Sequence, residues 1–172
     1  MKATGILRRI DELGRVVIPK EIRKSMKMRE GEELEIYTTD EEVVLKKYSE
    51  MSSLSRFAAS LASAVNRVTG KGALIVDTDK VIASAGKGLP EEGAPLSEEL
   101  AKVICARRKV TLAEHKCIKI GTAEARTETI HPILSAGDLF GAVIILSAEP
   151  FMKSDEQLAA TCANFFEQQI DR

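Results

Sequence analysis

KATGILRRIDELGRVVIPKEI (residues 2–22), followed by GEELEIYTTDEEVVLKKY (residues 31–48), decides how this chain is read. TGILRRI (4–10) has the make-up of a strand, and DELG (11–14) supplies a turn in which Gly14 can take positive φ. RVVI (15–18) reads as a second strand, stopped by Pro19, which cannot donate to a ladder. Residues 20–27 predict a short helix with Ile22 and Met26 one turn apart and Pro19 as its first-turn residue. Arg29-Glu30-Gly31 then turns the chain into a hairpin of ELEIYT (33–38) and EVVLKK (42–47) around residues 39–41. Leu34 and Ile36 alternate with Glu33 and Glu35, which leaves one face wet. The module spans 48 residues with about fifteen sizeable apolar side chains. A chain that short buries too little surface to fold well alone, and it has no disulfide to help, so dimerisation through its strands is expected.

Charge is distributed as unevenly as shape. Residues 1–29 hold nine Lys/Arg against Asp11, Glu12 and Glu21, a net of +6. Residues 30–48 hold two against seven, a net of −5, and residues 49–172 sum to −2. The overall −1 therefore conceals a compact basic block, the electrostatic footprint of a site for a polyanion. A solvated surface laced with i,i+4 pairs is the plainer alternative, but few carboxylates interleave with these cations.

Residues 48–55 (YSEMSSLS) form a polar joint, which divides the chain into 1–50, a linker at 51–55, and 56–172. Leu54, Phe57, Ala58, Leu61, Ala64, Val65 and Val68 recur at helical spacing up to Gly70. KGALIVD (71–77) and KVIASAG (80–86) flank Thr78-Asp79 as a hairpin, and GKGLPEEGAPL (86–96) is a loop. Ser97 caps a helix with Leu100, Val103 and Ile104 inward, and with Cys105 placed on the same buried face. HKCIKIG (115–121) and TETIHPIL (127–134) are strand-like. SAGD (135–138) is a turn before LFGAVIILS (139–147), the most apolar strand. Ser154-Asp155-Glu156-Gln157 reads as a capping box for a last helix with Leu158, Cys162, Phe165, Phe166 and Ile170 inward. Helix, hairpin, helix, three strands and helix describe an α+β domain.

Composition closes off several classes. Forty-four per cent hydrophobic and 30 per cent charged residues exclude disorder, and no apolar run approaches a membrane span. Charges near the start leave no signal-peptide core, which points to a cytoplasmic protein. Three cysteines without CxxC spacing suggest neither a disulfide framework nor a zinc site, and seven aromatics without Trp argue against base stacking. GKG (86–88) lacks the spacing of a phosphate-cradling loop, and no catalytic arrangement is legible. His115, His131 and Cys117 read as a fortuitous surface grouping rather than metal ligands.

The two opening stretches resemble the AbrB family of transcription regulators: D-E-L-G-R-V-V-I-P, then a basic helix, then L-E-I-Y and L-K-K-Y in a hairpin. With its added domain, the whole chain is similar to a sporulation branch of that family in endospore-forming bacteria, whose second half is a GAF domain. The resemblance implies a swapped-hairpin β-barrel dimer followed by a GAF-like antiparallel sheet with helices. It implies regulation of sporulation genes, positive and negative, in the forespore cytoplasm. The implied partner is double-stranded DNA, AT-rich and loosely related in sequence, with GAF-like domains pairing dimers into tetramers. The family's DNA-contacting arginines match Arg8, Arg15 and Arg23. The fourth basic position is Lys24, which keeps the attraction for phosphate without the planar fork of arginine. Arg9, Lys20 and Lys2 are further contact candidates. No cofactor is implied, although the GAF likeness leaves room for an unidentified small molecule. The competing readings are an AbrB/MazE-like antitoxin that binds a protein toxin, and a GAF enzyme working through Cys105 and Cys117. Cys105 and Cys162 are expected buried and inert, which leaves Cys117 as the one exposed thiol and argues against paired-cysteine catalysis.

Overall fold

The computed structural model describes residues 4–26, 28, 30–31 and 33–171, apart from the side chain of His115. The chain divides into two units, one ending at Tyr48 and one beginning at Ser49.

The first unit has one short helix and one hairpin. Helix α1 (Lys20–Ser25) starts behind Pro19, which occupies the N-cap position rather than the first turn, and Met26 caps its end. Strand β1 (Leu34–Thr38) pairs antiparallel with β2 (Val43–Lys47), Ile36 opposite Leu45. The turn between them closes when Thr39 N–H donates to Glu42 O at 2.9 Å and Glu42 N–H to Thr39 Oγ1 at 3.1 Å. Residues 4–10 and 15–18, expected as strands, join no ladder. A strand needs a neighbour for its backbone groups, and among the described residues these segments have none. The turn expected at 29–31 and the end of the helix at residue 27 fall partly outside the described residues.

The second unit is built on a five-stranded antiparallel sheet in the order β4-β3-β7-β6-β5. The strands are β3 (Gly72–Val76), β4 (Val81–Ala85), β5 (Val110–Ala113), β6 (Thr127–Ser135) and β7 (Asp138–Ser147). Alternation divides the central strands between two cores. Ala73, Ile75, Val143 and Ile145 point to one face, where α3 (Ser55–Thr69) and α5 (Lys153–Ile170) lie. Leu74, Val76, Ala142, Ile144 and Leu146 point to the other, where Leu100 and Ile104 of α4 (Glu98–Cys105) pack with Ile118, Ile120 and Ile130. Ala58, Ala62, Ala159 and Ala163 are fully buried, so α3 and α5 sit close on the sheet. Each fully buried Val, Leu, Ile, Phe or Met side chain contributes about 1.5–3 kcal/mol to holding these layers.

Local chemistry sets the boundaries. Asp77 Oδ1 accepts the N–H groups of Asp79 and Lys80, each at 2.7 Å, and this fixes the β3–β4 turn. Gly70 ends α3 in the left-handed conformation (φ 72°). Ser97 caps α4 by accepting from Leu100 N–H at 3.2 Å. Ala136 and Gly137 both have positive φ, the backbone that a two-residue hairpin loop between right-twisted strands requires.

Several elements differ from the sequence reading. The polar joint at 51–55 is instead occupied by α2 (Glu50–Ser53) and the start of α3, and Met51 is fully buried. Ser49 makes this possible by accepting from Ser52 N–H at 3.2 Å as an N-cap. The strand expected at 115–121 lies upstream, at β5. The later stretch opens with a 3-10 turn at Glu114–Lys116 and then runs outside any ladder. There the Glu128 carboxylate takes the Ile118 N–H at 2.8 Å, a donor the ladder would otherwise use. The capping box at 154–157 does not form. Helix α5 starts at Lys153 without a side-chain cap, and the Asp155 carboxylate is drawn to Lys71 in an ion pair instead.

Candidate nucleic-acid interface

The expected contact residues sit on two segments of the first unit. One is the turn at 11–15, built around a single carboxylate. Asp11 Oδ1 accepts from Leu13 N–H at 3.0 Å and Arg15 N–H at 2.7 Å, while Asp11 Oδ2 pairs with Arg15 Nε at 2.7 Å. Gly14 N–H donates to Asp11 O at 3.0 Å, and Gly14 takes φ 77°, a conformation open to glycine at little cost. The Arg15 N–H and side chain together hold the Asp11 carboxyl below its usual range. Asp11 thus fixes the base of the Arg15 guanidinium while the side chain remains 70% exposed. Arg8 Nη1 donates to Leu7 O at 3.3 Å, and Arg8 and Arg9 are exposed.

The second segment is α1. Lys20 opens it, and Arg23 and Lys24 lie in its last turn, where the helix dipole favours cations; all three are exposed. Lys2 lies outside the described residues. Among the described residues, Arg15 alone of these cations is in an ion pair. The acidic hairpin partly settles its own charge: Tyr37 OH donates to Glu35 Oε2 at 2.5 Å, and Lys46 Nζ lies 4.6 Å from the Tyr37 ring centroid. The Glu35 bond pushes the Tyr37 hydroxyl pKa up, burial adding to it.

The first unit also leaves its apolar side chains uncovered. Leu7, Ile10, Leu13, Val16, Val17, Ile36 and Val43 are all exposed. Pro19 is its only buried residue among those described.

The cysteine reading needs correction. Cys105 is exposed, not buried. The inward stripe of α4 runs through Leu100 and Ile104, so the next residue, at the end of the helix, turns away from the sheet. Cys162 is buried as expected, whereas Cys117, expected to be exposed, is partly buried. Burial pushes both thiols up, with Glu128 adding to the effect at Cys117, so neither is an activated nucleophile. Among the described residues no group of three His, Cys, Asp or Glu could hold a metal ion. No helix among them is long and apolar enough to cross a membrane.

Sequence reasoning missed Glu128, whose neighbours in TETI gave no sign of a buried carboxylate. It is 1% exposed. Burial pushes its carboxyl above the ordinary 4.5, the Ile118 N–H opposing and the Glu99 charge adding. A raised folded pKa means stability is full below the unfolded value and lost as pH rises through the folded one. Glu128→Gln keeps an oxygen for Ile118 and carries no charge. Its Tm is expected to gain on wild type between pH 4.5 and pH 8; Tm curves that stay parallel would exclude the effect.

A unit with an exposed basic block and a hairpin is thus followed by a helix-covered antiparallel sheet, and similarity to known proteins says which class of protein that is. A family profile described as stage V sporulation protein T C-terminal, transcription factor, matches residues 53–171. Stage V sporulation protein T of Bacillus subtilis (strain 168) is 40% identical over 178 residues that span 100% of both chains. The chain belongs to the stage V sporulation protein T family. Its first unit is similar to transition state regulatory protein AbrB of the same organism, 58% identical over 48 residues, or 28% of this chain and 50% of that one. A profile described as antidote-toxin recognition MazE, bacterial antitoxin, matches residues 7–52. The GAF domain of the nutrient sensor CodY from Clostridium difficile superposes with a TM-score of 0.53 at 20% identity, over 66% of this chain and 85% of that one. The second unit has a GAF-like fold.

Proposed function

We propose that the chain binds double-stranded DNA at AT-rich promoter regions and regulates sporulation genes, activating some and repressing others. Arg8, Arg15 and Arg23 reach base edges and phosphates, Lys24 holds phosphate, and Arg9, Lys20 and Lys2 extend the electrostatic footprint. The observation that carries this reading is the exposed cation set of the first unit, with Arg15 alone tied to a carboxylate. The uncovered apolar side chains there, and residues 4–10 and 15–18 without ladder partners, support a swapped-hairpin dimer in which a second copy supplies the missing strands. The division between Tyr48 and Ser49 then separates binding from assembly, with the GAF-like unit pairing dimers into a tetramer in the forespore cytoplasm. The protein works by binding rather than by catalysis.

Fluorescence anisotropy of an AT-rich duplex against salt tests the reading. Counterion release predicts a slope of log affinity on log salt of about −5 or steeper for six or more phosphate contacts. Absence of binding at low salt would move the first unit to the second reading, toxin neutralisation, which rests on the MazE profile match at residues 7–52.

A further inference from the structure

The second unit carries a basic surface of its own. Residues 102–126 hold seven Lys/Arg (Lys102, Arg107, Arg108, Lys109, Lys116, Lys119, Arg126) against Glu114 and Glu124, a net of +5. The rest of residues 49–172 sums to −7, since the whole unit is −2. The stretch runs from α4, over one face of the sheet, to β5 at its edge and back. Helix α4 ends at Cys105, the chain turns back into β5, the outermost strand, and the Glu114–Lys116 turn follows at the strand's far end. Ile118 N–H on Glu128 anchors residues 117–119 against β6, and Ile118 packs in one core with Leu100 and Ile104 of α4. Helix and returning loop therefore share one face of the sheet whose outer strand is β5, and all seven cations are exposed.

Three of them are committed within the unit. Arg107 Nη1 donates to Gly137 O at 2.5 Å, Lys109 pairs with Glu156 of α5, and Arg126 lies 4.0 Å from Glu114. Lys102, Arg108, Lys116 and Lys119 have no ion-pair partner among the described residues. Four exposed cations without an ion-pair partner among the described residues, in an otherwise acidic domain, offer a surface for a polyanion.

We infer that this edge binds the phosphate backbone of duplex DNA, a second and sequence-independent contact on the DNA engaged by the first unit. The inference rests on the DNA-binding reading above and adds to it a role for the GAF-like domain in holding flanking duplex. Lysines and a lone arginine without a carboxylate to orient them suit phosphate rather than base edges. Charge complementarity favours DNA, which offers one charge per about 1.7 Å of duplex axis, over an acidic protein with its sparser charge.

The test uses the full chain with Lys102, Arg108, Lys116 and Lys119 all changed to Gln, beside wild type and a set exchanging Lys and Arg. Binding is measured against salt on a short AT-rich duplex of about 20 base pairs and on the same site flanked to about 80. On the long duplex the Gln variant should lose affinity at least tenfold, and its salt slope should shallow by about three to four units, at about 0.9 per lost phosphate contact. The short duplex should respond far less, and the charge-keeping exchange should bind both like wild type. A Gln variant with wild-type Tm that matches wild type on both duplexes overturns the second surface and leaves the first intact. Unchanged DNA binding together with lost binding to polyglutamate assigns the edge to an acidic protein and overturns the inference as well. Wild type that binds neither duplex overturns the DNA reading itself, and this proposal with it.

Discussion

Arg15→Ala should weaken binding to an AT-rich duplex by about 5- to 150-fold, the 1–3 kcal/mol that one good base contact or several weaker ones supply. The geometry argues for the large end. Asp11 grips the Arg15 backbone N–H and Nε together, so the guanidinium meets the DNA already oriented and gives up little conformational entropy. Salt dependence then says what the residue touches. Loss of a phosphate contact shallows the log–log slope by about one unit, and loss of a base contact leaves it nearly unchanged. Affinity that stays within twofold of wild type would remove Arg15 from the interface. Asp11→Asn makes a useful companion. It keeps a backbone acceptor and drops the ion pair, so it is expected to lie between wild type and Arg15→Ala. Because the Asp11 carboxyl is held low, its grip persists down into acid and is lost only as pH falls through that lowered value.

Gly141→Ala is expected to leave no folded protein. A Cβ at residue 141 would fall on the carbonyl oxygen of Val76, and 3.0 Å from Asp77 Cα. Both obstacles are backbone, at the place where β3 gives way to the Asp77 turn and β7 runs beside it. Neither can step aside without breaking the ladder at the centre of the sheet. The cost is at least about 4 kcal/mol, a large share of the 5–15 kcal/mol that holds a domain together. Circular dichroism of the purified chain measures it, and a cooperative melt within a few degrees of wild type would contradict the geometry. Gly93→Ala is the natural control: a Cβ there meets open space, and only the positive φ of 82° is strained.

Much of this was legible beforehand because it depends on short-range pattern. The 3.6-residue recurrence from Leu54 to Val68 gave α3, the Ala142–Leu146 run gave the strand flanked by β3 and β6, and Ser97 announced its own cap. What the sequence hid depends on partners distant along the chain. Ile118 leaves the ladder because a carboxylate ten residues away claims its N–H. Asp155 abandons its capping role for Lys71, 84 residues earlier. Cys105 was misplaced by a single residue of helical phase, enough to turn a side chain from the sheet to solvent. At the interface the basic residues and the Gly14 turn were visible, since charge and positive φ are written in residue types. That Asp11 would serve the Arg15 backbone and side chain at once was not, because a polar turn can close in several ways.

The strand order carries a consequence for how the chain is made. Strands leave the ribosome in sequence order, yet β7, which must lie between β3 and β6, is the last of the five. From Val76 to Ser147 is 71 residues, about 4 to 14 s of synthesis at 5–20 residues per second. Until β7 is made, β4 is the one folded-state neighbour β3 can have, which leaves the β7 side of Ala73–Val76 with bare N–H and C=O groups along an apolar run. Such an open edge is a template for pairing with another nascent chain. Its cover arrives quickly once available. Strands β6 and β7 meet across the Ala136-Gly137 turn, a hairpin that forms within about 1–10 μs. Slowing the ribosome between residues 77 and 138 should therefore raise the aggregated fraction.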